Sequence, residues 1–116
     1  MERDPRAYLW DVREAADAIN RFVAGIDAQI YSDTPLLHSA VERKFEIIGE
    51  ALNRLAKTAP DLAGRIPGLP LIVAFRNLLI HGYAAVDHQR VWRIVNESLP
   101  ALRSAVAALL DELGPP

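Results

Sequence analysis

The feature that most constrains this chain is the spacing of its apolar residues, which recur every three or four positions along most of the sequence. That period matches one face of an α-helix, whereas a half-buried β-strand would alternate apolar and polar residues. No segment shows a convincing alternation of that kind, and no strand-turn-strand pattern is present. The sequence therefore predicts an all-α protein.

Two long helices are predicted in the first half of the chain, each beginning at a capping residue followed by proline. The first begins at Asp4-Pro5 and frays near Gly25, and the second begins within residues 32–35 (SDTP). Aspartate, serine or threonine can accept hydrogen bonds from the first turn, and proline suits the first helical position. The apolar face of the second helix is expected to consist of Leu37, Val41, Phe45, Ile48, Leu52 and Leu55.

A bend rich in proline and glycine, residues 59–70, separates these helices from two more. The bend is predicted to hold at most one short helical turn. The third helix covers residues 71–80 and stops at Gly82, which suits a left-handed C-terminal cap. The fourth is capped by Asp87 and interrupted by Pro100, which is expected to kink or divide it.

The chain has 116 residues, 51% of them hydrophobic and 24% charged, so a single globular domain over residues 1–116 is expected. We predict an up-and-down bundle of four main helices, with residues 113–116 as a loose tail.

The absence of cysteine excludes disulfides, iron–sulfur clusters and thiol nucleophiles. Three histidines without a nearby carboxylate cluster argue against a metal site, and no cofactor is expected.

The formal charge of −2 creates no global field that would attract nucleic acid, so any RNA contact has to be a local patch. No apolar run approaches the roughly 18 residues that span a bilayer. Residues 1–6 also lack the apolar core of a signal peptide. The expected location is the cytoplasm, without a membrane partner.

Two carboxylates on the second helix, Glu46 and Glu50, are four residues apart and share a face. Such a pair can act as acid and base or bind a cation. A solvated face, with Arg43 and Arg54 offsetting the repulsion between the acids, explains the same pattern. Gly49 in this helix costs about 1 kcal/mol relative to alanine, which suggests that another helix approaches closely there.

The strongest candidate for chemistry is the segment RNLLIHGY, residues 76–83. Arginine is a permanent cation whose planar fork suits phosphate, and histidine exchanges protons near neutral pH. On a regular helix Arg76 and His81 point about 140° apart, so they would converge at the helix end or across a two-fold interface. A cap and a structural hydrogen bond are the commoner explanation of an isolated arginine and histidine near a helix end.

This segment resembles the R-x4-H-x-Y motif of HepT-like toxins, a branch of the HEPN (higher eukaryotes and prokaryotes nucleotide-binding) superfamily. Residues 43–51 (RKFEIIGEA) are similar to the second-helix signature of these proteins, and residues 86–102 are similar to their closing helix. With the chain length, these features make the chain resemble a HepT-like protein along most of its sequence.

The resemblance implies a HEPN-like fold and a metal-independent endoribonuclease, the toxin of a type II toxin–antitoxin pair, acting as a homodimer. Arg76 and His81 take the catalytic positions, with His81 removing the 2′-hydroxyl proton of RNA and Arg76 stabilising charge on the phosphate. Tyr83 takes the position that a cognate minimal nucleotidyltransferase, the antitoxin, modifies with adenylyl groups. Asn77, on the same side as His81, either orients the imidazole, contacts phosphate or is a surface amide.

A non-catalytic HEPN module that binds a nucleotide or a protein partner is the alternative hypothesis. The joint presence of Arg76, His81 and Tyr83 favours the enzyme, whereas the net charge of −2 slightly favours the module.

Other conspicuous side chains carry weaker expectations. His38 and His88 are expected to be exposed or to cap helices. Trp10 and Trp92 are expected in the core or in a subunit contact rather than as platforms for bases. A dimer is expected to bury parts of the third and fourth helices, including some of Leu78, Leu79 and Trp92. The arginines of the first helix fit either an RNA-facing patch or a solvated surface: Arg3, Arg6 and Arg13.

Overall fold

The computed structural model describes residues 3–82, 84 and 86–115, and every regular element within them is helical. The predicted all-α class is therefore confirmed. No helix among these residues is both long enough and apolar enough to cross a membrane. The elements are α1 (Pro5–Phe22), α2 (Ala28–Ser32), α3 (Pro35–Thr58), α4 (Pro60–Ala63), α5 (Leu69–His81), α6 (His88–Arg93), a π-helical turn (Ile94–Ser98) and α7 (Leu99–Leu113).

The central element of the bundle is α3. It packs along α1 and along α5, and α1 in turn packs against α7. The predicted four main helices are present as α1, α3, α5 and the continuous rod formed by α6, the π-turn and α7. Phe45 of α3 meets Phe75 of α5 edge to face, with ring centroids 5.3 Å apart, so the core runs through this helix pair.

Two of the predicted helix starts have the expected caps. Asp4 accepts a hydrogen bond from the backbone N–H of Arg6 at 2.9 Å, and Asp87 accepts from the first turn of α6. Thr34 occupies the cap of α3, but its side chain does not cap the helix. Its hydroxyl instead donates to the carbonyl of Ile30 at 2.6 Å, so the start at residue 35 was predicted correctly while the capping contact was not.

The short helix α2 was not predicted from the sequence. Asp27 caps it by accepting from the backbone N–H of Ile30 at 2.8 Å. Its one buried residue is Tyr31, which is fully enclosed by the core. Five residues are too few to show a helical period, and a helix this short depends on tertiary packing for its stability.

The end of α5 corrects one further expectation. Gly82 does terminate the helix, and its N–H bonds to the carbonyl of Leu78 at 2.7 Å. Its φ is −130°, so the predicted left-handed cap is wrong. The carbonyl of Leu78 is satisfied without the left-handed turn.

The last helical rod accommodates Pro100 through the turn that precedes it. Proline has no N–H to donate to the carbonyl four residues back. In the π-turn the N–H of Leu99 bonds to the carbonyl of Ile94, five residues back. Pro100 then lies in the first turn of α7, where a missing N–H leaves no helical bond broken. The expected interruption near Pro100 takes the form of a π-turn within a continuous helical rod, and the helix is not divided.

The two histidines near helix starts form a cluster in which His38 is buried, so the expectation of an exposed His38 is wrong. His38 is only 9% exposed, and its Nε2–H donates to the carbonyl of Tyr31 at 2.7 Å. Its ring stacks on His88, with centroids 3.6 Å apart. A carboxylate oxygen of Glu42 lies 3.8 Å from the buried Nδ1 of His88. The cluster joins α2, α3 and α6.

We expect this cluster to make the fold less stable as the pH falls below about 6.5. Burial, and then the neighbouring His38, lowers the pKa of His88 against the opposing effect of Asp87. The unfolded chain therefore takes up a proton while the folded His88 stays neutral, which favours unfolding in acid. Burial also raises the pKa of Glu42, and protonation of that group stabilises the fold as the pH falls.

The variant His88→Phe separates the effect of His88 on the pH dependence of stability from that of Glu42. Thermal melts at about pH 7.5 and about pH 5.5 should show a smaller loss of Tm for His88→Phe than for the wild type, because phenylalanine keeps the stack and cannot take up a proton. An equal loss in both proteins would contradict the role given to His88.

Candidate functional site

The crossing of α3 and α5 depends on Gly49. A Cβ atom built on Gly49 would overlap the Cβ of Arg76 and lie 2.6 Å from its Cγ. Gly49 is buried, so the stem of Arg76 rests directly on the backbone of α3. The close approach of another helix at Gly49, expected from the sequence, is confirmed.

Glu50 holds the other end of the Arg76 side chain. Its Oε2 accepts a hydrogen bond from Nη2 of Arg76 at 2.7 Å, and its Oε1 accepts from Nε of Arg54 at 2.7 Å. The Arg76 side chain is 23% exposed, against 61% for Arg54. Because its stem lies against Gly49 and its fork is bonded to Glu50, Arg76 is oriented at both ends.

Arg76 lines a cleft of about 270 Å³ to which α1, α3 and α5 contribute. The cleft brings together charged residues of both signs that are scattered along the sequence, four arginines and three carboxylates. Carboxylates alternate with the arginines around it. The charged lining residues are Arg3, Arg43, Arg54, Arg76, Asp11, Glu46 and Glu50.

The two acids of α3 have different surroundings. Glu50 pairs with two arginines, one of them Arg54, which the sequence suggested would offset the acids. Glu46 lines the same cleft. Across the residues that the structure describes, no three histidine, cysteine, aspartate or glutamate side chains converge as a metal site requires. The sequence did not reveal that Glu50 reaches Arg76, although its place beside Gly49 was a usable signal.

His81 is placed apart from Arg76. It is the last residue of α5, is exposed, and does not line the Arg76 cleft. The Arg76 guanidinium is bonded to Glu50 and, from Nη1, to the Oδ1 atom of Asn77 at 3.0 Å. Asn77 is exposed and contacts Arg76 through its carbonyl oxygen. Tyr83, the predicted modification site, lies outside the described residues.

The helix that carries both residues also has apolar side chains outside the core. Ile72, Phe75 and Leu79 are buried against the core, while Leu71 and Ile80 are 45% and 37% exposed. Leu71 and Ile80 are nine residues apart and so lie on opposite sides of the helix, and Ile80 lines the Arg76 cleft. Leu79, one of the residues expected in a subunit contact, instead belongs to the core of its own chain.

A comparison with known families decides the membership of this chain. A sequence model of the family described as ribonuclease HepT-like matches residues 12–109. The chain belongs to the HepT-like ribonuclease family. The resemblance found in the sequence is thereby confirmed, and the match includes Gly49, Glu50, Arg76 and His81.

Individual relatives of this HepT-like chain agree. "Putative RNase MJ1380" of Methanocaldococcus jannaschii is 34% identical over 107 residues, which cover 90% of this chain and 95% of that protein. "Probable ribonuclease HepT" of Thermococcus cleftensis is 33% identical over 103 residues, which cover 89% and 93% of the two chains. No solved structure is a significant match.

Replacing Gly49 by alanine should separate α5 from α3. The added methyl group overlaps the Arg76 stem, and overpacking of this kind costs about 1–3 kcal/mol. The higher helix propensity of alanine returns about 1 kcal/mol of that loss. Urea unfolding of Gly49→Ala should therefore show a lower free energy of unfolding than the wild type.

Gly64→Ala is the matched control. Gly64 has φ −64°, and a Cβ there would meet only the carbonyl oxygens of Pro60 and Asp61, at 3.4 and 3.7 Å. We expect its stability to equal or slightly exceed that of the wild type. If Gly49→Ala proved as stable as Gly64→Ala, the close crossing would be contradicted.

Proposed function

We propose that this chain is a metal-independent endoribonuclease toxin that cleaves RNA as a homodimer through Arg76 and His81. The observation that carries the proposal is the placement of Arg76 in a chain of this family. It is fixed against Gly49 and Glu50 in a charged cleft, while His81 stands exposed at the end of the same helix.

The chemistry needs only the side chains and the substrate. His81 takes the proton from a 2′-hydroxyl, whose oxygen attacks the adjacent phosphorus. The bond from phosphorus to the 5′-oxygen of the next nucleotide breaks, and that oxygen leaves as a hydroxyl after taking a proton from water. Arg76 donates to the phosphate oxygens as negative charge develops on them. Its guanidinium has five N–H donors, of which Glu50 and Asn77 use two and the one on Nε is buried, so two on the terminal nitrogens remain for phosphate. The products carry a 2′,3′-cyclic phosphate, and DNA is not cut because it lacks the nucleophile.

A second copy of the chain completes the site in this proposal. Within one chain Arg76 turns towards α3 while His81 lies about 140° away around the helix axis. A two-fold contact along the exposed side of α5, which carries Asn77 and His81, would bring the partner subunit's His81 to Arg76. The free amide nitrogen of Asn77 could then donate to the phosphate beside Arg76.

Arg76→Ala and His81→Ala should each abolish RNA cleavage, because each removes one of two different roles in the same step. Purified protein is incubated with total RNA, with and without EDTA, and the products are tested for 2′,3′-cyclic phosphate ends. Circular dichroism checks that each variant keeps its helices.

The control is Arg65→Ala, which also removes an arginine paired with a glutamate, Glu112, but outside the cleft. It should cleave like the wild type. Full activity of either site variant would overturn the assignment of its residue, and loss of cleavage in EDTA would overturn metal independence. Binding of RNA without cleavage by the wild type would favour the non-catalytic module.

A cognate minimal nucleotidyltransferase acts as the antitoxin in this proposal. The Tyr83 hydroxyl attacks the α-phosphate of ATP, pyrophosphate leaves, and AMP remains on the tyrosine. The added phosphate competes with RNA for Arg76, and the nucleotide occupies space beside His81. The family resemblance and the position of Tyr83, two residues after His81, support this role. Such a pair would act in the cytoplasm.

Intact-mass spectrometry after incubation with the nucleotidyltransferase, Mg²⁺ and ATP tests this regulation. Wild-type protein should gain mass in AMP units and lose ribonuclease activity, whereas Tyr83→Phe should gain none and stay active. Equal labelling of both proteins, or inhibition without any mass change, would contradict the role of Tyr83.

A further inference from the structure

We propose that Trp10 is a stacking platform for an unpaired base of RNA, in a pocket that continues from the Arg76 cleft. The inference rests on the proposed function, since that function puts an RNA strand in the cleft. It adds a second binding site, away from the reacting phosphate, and specifies a single-stranded substrate.

Trp10 is not needed by the core of its own chain. It lies on α1 and is 51% exposed, whereas its neighbours Leu9 and Val12 are completely buried. Of the two places expected for Trp10, the core is therefore wrong, and a subunit contact stays a prediction. An indole half open to solvent leaves a broad apolar face available to a ligand.

The space beside the indole has the dimensions and chemistry of a base site. A pocket of about 300 Å³ adjoins Trp10, with Ala7 and Leu110 among its apolar walls. Two arginines and two aspartates also line it: Arg3, Arg6, Asp4 and Asp11. An indole can stack on any of the four bases, because every base has a π face.

Arg3 connects this pocket to the Arg76 cleft. Together with Asp11, it lines both cavities. The Arg3 guanidinium donates to Asp11 at 2.8 Å and lies 5.0 Å from the centroid of the Tyr8 ring. A strand bound at Arg76 can therefore follow the surface past Arg3 and place a flanking base on Trp10.

Stacking on Trp10 would also let a chain with a net charge of −2 bind RNA, although that charge repels the RNA phosphates. The arginines near the pocket are largely neutralised, since Arg3 pairs with Asp11 and Arg6 with Asp4. Phosphate contacts alone would then give weak and strongly salt-dependent binding. An apolar contact with a base adds affinity that depends little on the net charge.

Binding can be measured without cleavage by using a short, fluorescent, 2′-O-methylated RNA, which has no free 2′-hydroxyl to act as the nucleophile. We expect Trp10→Ala to bind this RNA about tenfold more weakly than the wild type. Trp10→Phe, which keeps an aromatic face, should stay within about threefold. Leu36→Ala removes an apolar side chain that is 80% exposed elsewhere on the surface, and it should bind normally.

Intrinsic fluorescence reports on the indole itself. RNA should quench the wild-type emission, and the quenching should be lost in Trp10→Phe, which retains only Trp92. Unchanged affinity of Trp10→Ala, or unchanged quenching in Trp10→Phe, would overturn the inference. So would light scattering that shows Trp10→Ala to be monomeric where the wild type is dimeric, since Trp10 would then belong to a contact between copies.

The two proposals fail in different ways. If the wild type binds and is quenched by the methylated RNA but never cleaves unmodified RNA, the Trp10 site stands and the ribonuclease proposal falls. If the wild type cleaves RNA while Trp10→Ala binds and cleaves equally well, the ribonuclease proposal stands and the Trp10 site falls.

Discussion

The contact between the backbone of Gly49 and the stem of Arg76 is the constraint on which the rest of this structure depends. No other residue at position 49 would let α5 lie so close to α3, because even a methyl group would overlap Arg76. The adjacent Glu50 then reaches the guanidinium and fixes its direction. Gly49 and Glu50, two consecutive residues of α3, thus hold the guanidinium of Arg76 on α5. Their contacts explain why the Arg76 side chain is three-quarters buried at this crossing.

The same contact sets the directions of the two proposed catalytic side chains. Because the buried face of α5 packs against α3, the Arg76 side chain lines the cleft, whereas His81 lies exposed at the end of the helix. Asn77 and His81 lie on the side of α5 that faces away from the core. The proposed dimer would cover this side and bring the partner subunit's His81 to Arg76.

The sequence predicted those parts of the fold that depend on local chemistry. The sequence was sufficient to predict the helical periodicity, the Asp4 and Asp87 caps and the close approach at Gly49, because each arises within a turn or two of helix. It was not sufficient to predict the short α2, the burial of His38 or the exposure of Trp10. Each depends on which distant segment packs against the residue, and an apolar or aromatic side chain looks the same in a sequence whether its neighbour is protein or water.

The most direct test of a site shared between two chains mixes two inactive variants. In a heterodimer of Arg76→Ala and His81→Ala, one cleft receives Arg76 from the second variant and His81 from the first, so it is intact. After subunit exchange of equal amounts, RNA cleavage should return to about a quarter of the wild-type rate, because half of the dimers are mixed and each has one complete site. A mixture that exchanges subunits and remains inactive would contradict the shared site.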